Sequence, residues 1–191
     1  MKTEKLEKDH YYYIYNRGIN SCIIFKNDEN KCYFLQLAEK HLKGKVIVLA
    51  YCLMNNHFHF AIKVISEEKI VTQAFSNLFN AYAKAYNKQQ NRTGSLFERP
   101  FNRKHITNEE YLRSLIIYIH TNPQNHGVIN DFSKFLFSSY TCFTTEKHQN
   151  KLILETDEVI NLFDDLENLT YCHKQSLKKK EQIIDLDLLG F

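Results

Sequence analysis

The sequence predicts an α+β fold: a mainly antiparallel sheet in the ferredoxin-like arrangement, with helices packed on one face and a C-terminal helical extension. Two observations predict it. Strand-like and helix-like hydrophobic spacings follow one another in the order β-α-β-β-α-β-α. The two middle strands meet across the short polar turn Asn55-Asn56, which is typical of an antiparallel hairpin. The ferredoxin-like arrangement is the simplest topology for this order of elements, in which a central hairpin is flanked by two helices.

Turn and capping residues delimit the elements of the first half of the chain. Arg17 and Gly18 end an aromatic and β-branched run that starts at Tyr11. Asn27 or Asp28 can cap the helix that follows. The elements expected here are strands over 11–16, 46–54 and 57–64 and a helix over 29–42.

The second half of the chain continues with helices on either side of a strand. Thr107 or Asn108 can cap one of these helices. Pro123 disfavours helical geometry at Asn122, so that helix is expected to end there. The other elements expected are helices over 71–89, 156–169 and 173–189 and a strand over 101–106; the last two helices form the C-terminal extension.

Composition indicates a globular cytoplasmic protein. The hydrophobic fraction of 43% and the aromatic fraction of 14% are too high for a disordered chain. No stretch approaches the roughly 18 apolar residues that cross a membrane, and the first residues lack the apolar core of a signal sequence. The five cysteines are odd in number and widely spaced, which indicates reduced thiols and neither a disulfide framework nor a zinc cluster.

Basic side chains are concentrated in the middle of the chain, although the formal net charge is only +3. Residues 83–106 contain six basic side chains against the single acid Glu98. Such a segment can attract a polyanion such as DNA, but a charge run is also typical of an ordinary solvated face. The candidate phosphate contacts are five residues of this segment, Lys84, Arg92, Arg99, Arg103 and Lys104, together with Arg17, which follows the first expected strand.

The expected strand over 57–64 begins with two histidines one residue apart. Side chains alternate between the two faces of a strand, so His57 and His59 point the same way, and the phenylalanines beside them point into the core. Two imidazoles on one strand face can chelate a single divalent ion. They can also be ordinary, partly exposed histidines, and the spacing alone favours that more common outcome.

The helix after Asn108 offers a third ligand. Its aliphatic stripe must face the sheet, and Tyr118 and Asn122 lie one turn apart on the adjacent stripe. His120 is the more usual metal ligand, yet it lies about 200° round the helix from Tyr118 and is expected to face away. Helix geometry therefore favours Asn122. By spacing alone, Tyr118 is one of twelve tyrosines and is predicted to pack at the edge of the core.

Several spaced motifs resemble one family, in that family's order. Residues 51–60, Tyr-Cys-Leu-Met-Asn-Asn-His-Phe-His-Phe, are similar to the metal-binding strand of the HUH superfamily of single-strand DNA nucleases. Tyr118-Ile-His-Thr-Asn-Pro123 resembles the catalytic motif of its tyrosine transposases, above all the REP-associated tyrosine transposases. The resemblance covers about residues 8–142. Three shorter matches are Tyr15-Asn-Arg-Gly18, Gly94-Ser-Leu-Phe97 (followed by Arg99, Phe101 and Arg103) and Ser138-Ser-Tyr140.

The resemblance divides the chain into an HUH nuclease domain over 8–145 and a helical extension over 146–191. Two departures from the family pattern remove no catalytic group. Asn55 stands where the family often has proline, in the turn before the histidines. Phe137 stands where a tryptophan commonly precedes the Ser-Ser-Tyr element. The residues beyond Thr145 match nothing in the family.

The resemblance implies an enzyme that cleaves and rejoins DNA. Tyr118 would attack a phosphodiester of single-stranded or hairpin DNA, giving a 5′-phosphotyrosine link and a free 3′-hydroxyl that can later attack the link in strand transfer. His57, His59 and Asn122 would hold Mg²⁺ or Mn²⁺ against the scissile phosphate. No membrane partner is expected. Members of the superfamily act as homodimers or as monomers, so both states stay open.

Two other functions remain open. One is a DNA-binding protein derived from a transposase that no longer cuts, against which the intact Tyr118, His57 and His59 argue. The other is a metal-dependent hydrolase that uses the histidine pair with water as the nucleophile. Such a hydrolase needs nearby carboxylates, and the hairpin offers none before Glu67 and Glu68.

Overall fold

The structure is a computed structural model that describes residues 4–144 and 154–178. Its strands are β1 (Tyr11–Arg17), β2 (Val46–Leu53), β3 (His57–Val64) and β4 (Asn102–Ile106). Its helices are α1 (Asp28–Leu42), α2 (Glu68–Gln89), α3 (Glu109–Asn125), α4 (Thr141–Thr144), α5 (Thr156–Leu162) and α6 (Leu166–Ser176). The strands form one antiparallel sheet in the order β2-β3-β1-β4. The predicted α+β fold is confirmed, and this strand order is that of the ferredoxin-like arrangement.

Helices cover both faces of the sheet, whereas the sequence led us to expect them on one face. On the first face, Phe58 of β3 packs against Phe34 of α1 and Phe79 of α2, with ring centroids 5.1 and 5.5 Å apart. On the second face, His59 of β3 contacts Tyr118 of α3. The reason lies in β2 and β3, which are buried along almost their whole length. Strands that are buried on both faces require packing elements on both.

Side-chain caps start the helices where the sequence predicted. Asn27 caps α1 by accepting a hydrogen bond from the backbone amide of Asn30. Asn108 caps α3 in the same way, through the amide of Tyr111. Helix α3 carries the candidate nucleophile, and the side chain of Asn108 thus fixes where this helix begins.

The C-terminal end of α3 differs from the prediction. The helix does not stop at Asn122 but continues through Pro123 to Asn125, so the expected end was wrong. The proline is tolerated because it lies in the last turn, where only a few helical hydrogen bonds remain to be disturbed. The extra turn carries His126, the cap residue, onto the same side of the helix as Asn122.

The described part of the extension packs against the sheet and α3. The backbone amide of Glu155 donates to the carbonyl of Val48 in β2, and the hydroxyl of Tyr11 in β1 donates to the carboxylate of Glu158. No helix within 4–144 and 154–178 combines the length and apolar character needed to span a membrane. All five cysteines are free thiols, as predicted.

The helices of the extension have other bounds than those expected. The predicted helix over 156–169 is interrupted, because Asp164 adopts a positive φ of 70° and Asp165 then caps α6 through the amide of Asn168. Residues expected to start the helix over 173–189 therefore lie inside α6. The end of that expected helix falls outside the described residues.

Candidate active site

Strand β3 places the two histidines on the same face of the sheet. Their ring centroids lie 4.8 Å apart. His59 is fully buried and His57 is 8% exposed, so neither is an ordinary surface histidine. The register of β1 against β3 sets Arg17 opposite His57 and Tyr15 opposite His59. The pair thus lies at the end of β3 that adjoins the hairpin turn.

Helix α3 brings Tyr118 and Asn122 to the histidine pair. The ring centroid of Tyr118 lies 5.8 Å from that of His59, in an edge-to-face arrangement. Asn122 is fully buried, and its side chain acts to raise the pKa values of both imidazoles. Residues predicted as nucleophile and metal ligands therefore meet at one place, although their roles stay predictions.

Both imidazoles are neutral at neutral pH. Burial is the main cause, and the repulsion that would arise if two neighbouring histidines were both protonated adds to it. Together they lower the pKa of His57 to about 4 and that of His59 well below its usual value, against the opposing effect of Asn122. Because a metal ion binds the neutral imidazole, these low pKa values keep both rings ready to act as ligands.

Oxygen atoms hold both rings by Nδ1. The Nδ1 of His59 lies 2.6 Å from the hydroxyl of Tyr13, and the Nδ1 of His57 lies 2.7 Å from Oδ1 of Asn56. An Nδ1–H that donates to oxygen leaves the lone pair on Nε2, which is the usual arrangement around metal-ligating histidines. Sequence reasoning missed both partners. The contact of Tyr13 depends on the register of β1 against β3, which is not visible in the sequence, whereas Asn56 directly precedes His57 and was interpreted only as a turn residue.

Gly18 brings the chain close to this turn. Its amide donates to the carbonyl of Asn56, 2.8 Å away. A Cβ at Gly18 would lie only 2.1 Å from the carbonyl oxygen of Cys22, so only glycine fits without a shift of the backbone. The loop after β1 is therefore held against Asn56, the residue that orients His57.

The donor set fits a divalent cation. Two imidazole nitrogens and the Asn122 amide oxygen supply three protein ligands and leave the other positions to water or phosphate oxygens. Imidazole suits transition metals and amide oxygen suits Mg²⁺ and Mn²⁺, so the mixed set favours Mn²⁺ over Mg²⁺. Within the described ranges, no group of three or more His, Cys, Asp or Glu side chains is placed to hold a metal. Asn122 is thus essential to this candidate site.

His126 is a further group at the edge of the site. This exposed residue lies one turn after Asn122, and its ring centroid is 6.1 Å from that of His57. It was not predicted, because α3 was expected to end before it. Extension of the Tyr118–Asn122 stripe by one more turn could have found it.

His120 faces away from the site, as predicted, and joins α3 to α6. Its Nδ1 lies 2.8 Å from Nε2 of His173, and its Nε2 lies 2.8 Å from the hydroxyl of Ser139. Burial lowers the pKa of both histidines, so both are neutral. The Nδ1 of His173 lies 2.7 Å from the Leu169 carbonyl, which can only accept, so this nitrogen carries the proton. His120 then donates to His173 and accepts from Ser139.

The Ser138-Ser-Tyr140 element lies along the outer edge of β2. The hydroxyl of Ser139 accepts from the amide of Tyr51 at 2.9 Å, and its own amide donates to the Tyr51 carbonyl at 3.0 Å. The amide of Leu53 donates to the carbonyl of Phe137. The segment thus satisfies backbone groups at the sheet edge and links β2, through His120, to the helix of Tyr118.

Two of the basic candidates lie on the sheet face that carries the histidine pair. Arg17 ends β1 opposite His57 and forms an ion pair with Glu98, with a nitrogen–oxygen distance of 2.7 Å. Lys104 lies on the same face, and its ammonium is 5.2 Å from the ring centre of Tyr111 in α3. Arg17 is thus adjacent to the histidine pair, whereas Lys104 lies two strands away from β3 on the same face.

The remaining basic candidates lie elsewhere. Arg99 and Arg103 line a groove on the opposite face of the sheet. Lys84 is exposed on α2, which packs on that opposite face. The guanidinium of Arg92 donates to the side chain of Asn87 at the end of α2 and to the carbonyl of Ser95 in its own loop. The structure therefore does not bring all six together.

Comparison with known proteins identifies a shared fold. No protein-family model and no curated protein matches the sequence. Among solved structures, the chain is similar to a REP-associated tyrosine transposase bound to a REP hairpin, with a TM-score of 0.59 and 14% sequence identity. The match covers 76% of this chain and 86% of that chain. At this level of identity, the likeness shows that the chain has the fold of that transposase.

Proposed function

We propose that the protein is a tyrosine transposase that cleaves and rejoins single-stranded or hairpin DNA through a covalent 5′-phosphotyrosine link. The observation that carries the proposal is the meeting of His57, His59, Tyr118 and Asn122, which come from two distant segments of the chain. The fold likeness adds support, because the similar transposase is bound to a DNA hairpin.

Tyr118 is the nucleophile in this mechanism. Its hydroxyl oxygen forms a bond to phosphorus as the bond from phosphorus to the 3′-oxygen breaks. The phenol loses its proton and the departing 3′-oxygen gains one. The reverse attack by a 3′-hydroxyl releases the tyrosine and rejoins the strand, so no hydrolytic water is needed.

The other residues bind and orient the phosphate. His57, His59 and Asn122 would hold Mg²⁺ or Mn²⁺, which when bound supplies Lewis-acid polarisation of the scissile phosphate. Arg17 and Lys104 lie on the same face and add positive charge for the DNA backbone. The free thiols are consistent with a protein that acts in the cytoplasm. The protein would act as a monomer or as a homodimer.

A DNA-binding protein that has lost cutting is the second candidate, and one observation favours it. Tyr118 is only 2% exposed. A phosphate within a DNA polymer does not reach a side chain so deeply buried, so cutting requires a movement that exposes Tyr118 when DNA binds. The non-cutting protein requires no such movement.

An adduct assay tests the proposal. Labelled single-stranded and hairpin DNA from the flanks of the gene is incubated with the protein, with Mn²⁺ or with chelator, and analysed on a denaturing gel. The proposal expects a metal-dependent protein–DNA adduct that is absent in Tyr118→Phe and present in Tyr111→Phe, a control on the same helix. Binding without any adduct would instead support the non-cutting protein.

A further inference from the structure

A groove of about 530 Å³ lies on the sheet face opposite the histidine pair. Phe79, Phe97 and Phe101 line its floor, with neighbouring ring centroids 5.3 to 5.4 Å apart. Arg99 and Arg103 stand at its side. The volume is typical of a site for a small organic group, and the lining combines aromatic rings with positive charge.

The two arginines of the groove have no acidic partner within 4 Å in residues 4–144 and 154–178. Arg103 is half-buried, with its guanidinium 4.5 Å from the ring centre of Phe101, and its buried Nε has no hydrogen-bond partner. Glu4 and Glu68 act on Arg103 only at longer range. A half-buried guanidinium that no carboxylate neutralises is suited to an anionic ligand.

The groove lies next to the candidate active site along the chain. Asn16 lines the groove, and the next residue, Arg17, lies opposite His57 in the sheet. Glu98 also lines the groove and forms the ion pair with Arg17. A DNA strand that crosses the end of β1 can therefore contact Arg17 on one face of the sheet and enter the groove on the other.

We propose that the groove binds one unpaired nucleotide of the DNA strand, with its base on the phenylalanine floor and its phosphate on Arg99 and Arg103. The inference rests on the proposed function, since it assigns part of the same substrate. A phosphate ion alone would leave the aromatic floor unused, and an apolar ligand would leave the arginines unused. The base must be unpaired, because a base stacked in a duplex cannot lay its face on a protein ring.

Photocross-linking tests the groove directly. Single-stranded DNA from the gene flank carries 5-iododeoxyuridine at one position at a time and is irradiated with the Tyr118→Phe protein in chelator, so that no cleavage occurs. We expect one DNA position to cross-link to Phe79, Phe97 or Phe101, mapped by mass spectrometry of the peptides. The yield should fall strongly in Arg103→Gln and stay unchanged in Arg113→Gln, whose arginine lies on α3 outside the groove.

The salt dependence of DNA affinity gives a second measure. Loss of one phosphate contact should lower the slope of log affinity against log salt by about 1 in Arg103→Gln, and leave it unchanged in Arg113→Gln. Arg99→Gln repeats the measurement at an exposed position, which guards against misfolding of the Arg103 variant. Equal slopes in the groove variants and the Arg113 control would overturn the inference, as would cross-links confined to other residues.

The adduct assay, run on the same DNA with the wild-type protein and Mn²⁺, separates the two proposals. A Tyr118-dependent adduct without cross-links to the groove removes this inference and leaves the proposed function. Cross-links to the groove without an adduct keep the nucleotide site and remove the cutting activity. Absence of both adduct and DNA binding overturns both proposals.

Discussion

The hydroxyl of Tyr13 lies 2.6 Å from Nδ1 of His59, and both side chains are completely buried between the sheet and α3. The two rings are also stacked, with centroids 5.8 Å apart. This contact fixes the imidazole so that Nε2 remains for a metal ion or for Asn122. Tyr13 therefore acts on the candidate metal site through His59.

Replacement of Tyr13 by phenylalanine should weaken metal binding while leaving the fold intact. Loss of such an outer partner lowers metal affinity by about 10- to 100-fold in comparable sites. Titration of Mn²⁺ by calorimetry measures the Kd. Tyr12→Phe is the matched control, because the hydroxyl of Tyr12 accepts from the amide of Glu7 and its side chain lies on the other face. An unchanged Kd for Mn²⁺ in Tyr13→Phe would show that Tyr13 does not support metal binding through His59.

Replacement of Asn122 by aspartate should change the metal preference. A carboxylate adds a negative charge and a hard oxygen ligand, so the concentration of Mg²⁺ needed for half-maximal adduct formation should fall. Gln124→Glu adds the same charge to α3 about 200° round the helix from Asn122, where the side chain contacts the amide of Phe132 instead of the histidines. An equal response of both variants to Mg²⁺ would contradict a role of Asn122 as a metal ligand.

The contact between α3 and α6 should contribute measurably to stability. His173→Phe keeps an aromatic ring but leaves the buried Nδ1–H of His120 without an acceptor, which should lower the free energy of unfolding by about 1–3 kcal/mol. His173→Gln can accept from His120 through its carbonyl and should recover part of that loss. Urea unfolding measures both variants. Equal destabilisation by phenylalanine and glutamine would show that the hydrogen bond does not matter.

The same buried histidine should make the protein sensitive to acid. Burial lowers the pKa of His173 from 6.5 to about 4, so between these values the unfolded chain binds a proton that the folded chain does not. The contribution of His173 to the free energy of unfolding is therefore constant above pH 6.5. As the pH falls from 6.5 to about 4, the free energy of unfolding decreases by about 3 kcal/mol. Urea unfolding at pH 7 and 4.5 should show a smaller acid loss in His173→Gln than in the wild type. The same loss in both would contradict the assignment.

Local spacing was sufficient to predict the elements that position the candidate site. Alternation along β3 placed both histidines on one face, and helical spacing placed Tyr118 beside Asn122 and turned His120 away. These relations depend only on neighbours in one strand or one helix. The residues meet because α3 packs on the sheet face toward which both histidines point. The apolar stripe of α3 implied that this helix packs on the sheet, but not on which face.

Features that depend on tertiary contacts were not predictable in the same way. The continuous apolar run of β2 was the available sign that both faces of the sheet are covered, and helices were nevertheless expected on one face. The contact between Tyr13 and His59 depends on the register of β1 against β3, which the sequence does not show. His173 meets His120 only because the break at Asp164 turns α6 back onto α3, and that direction depends on packing.

The role of Tyr118 as the nucleophile is tested by identifying the residue that becomes linked to DNA. The wild-type protein is trapped on its DNA with Mn²⁺, digested with protease and nuclease, and the nucleotide-bearing peptide is sequenced by mass spectrometry. We expect a phosphodiester link at Tyr118, among the twelve tyrosines of the chain. A link at any other residue, or DNA that is bound and never linked, would contradict it.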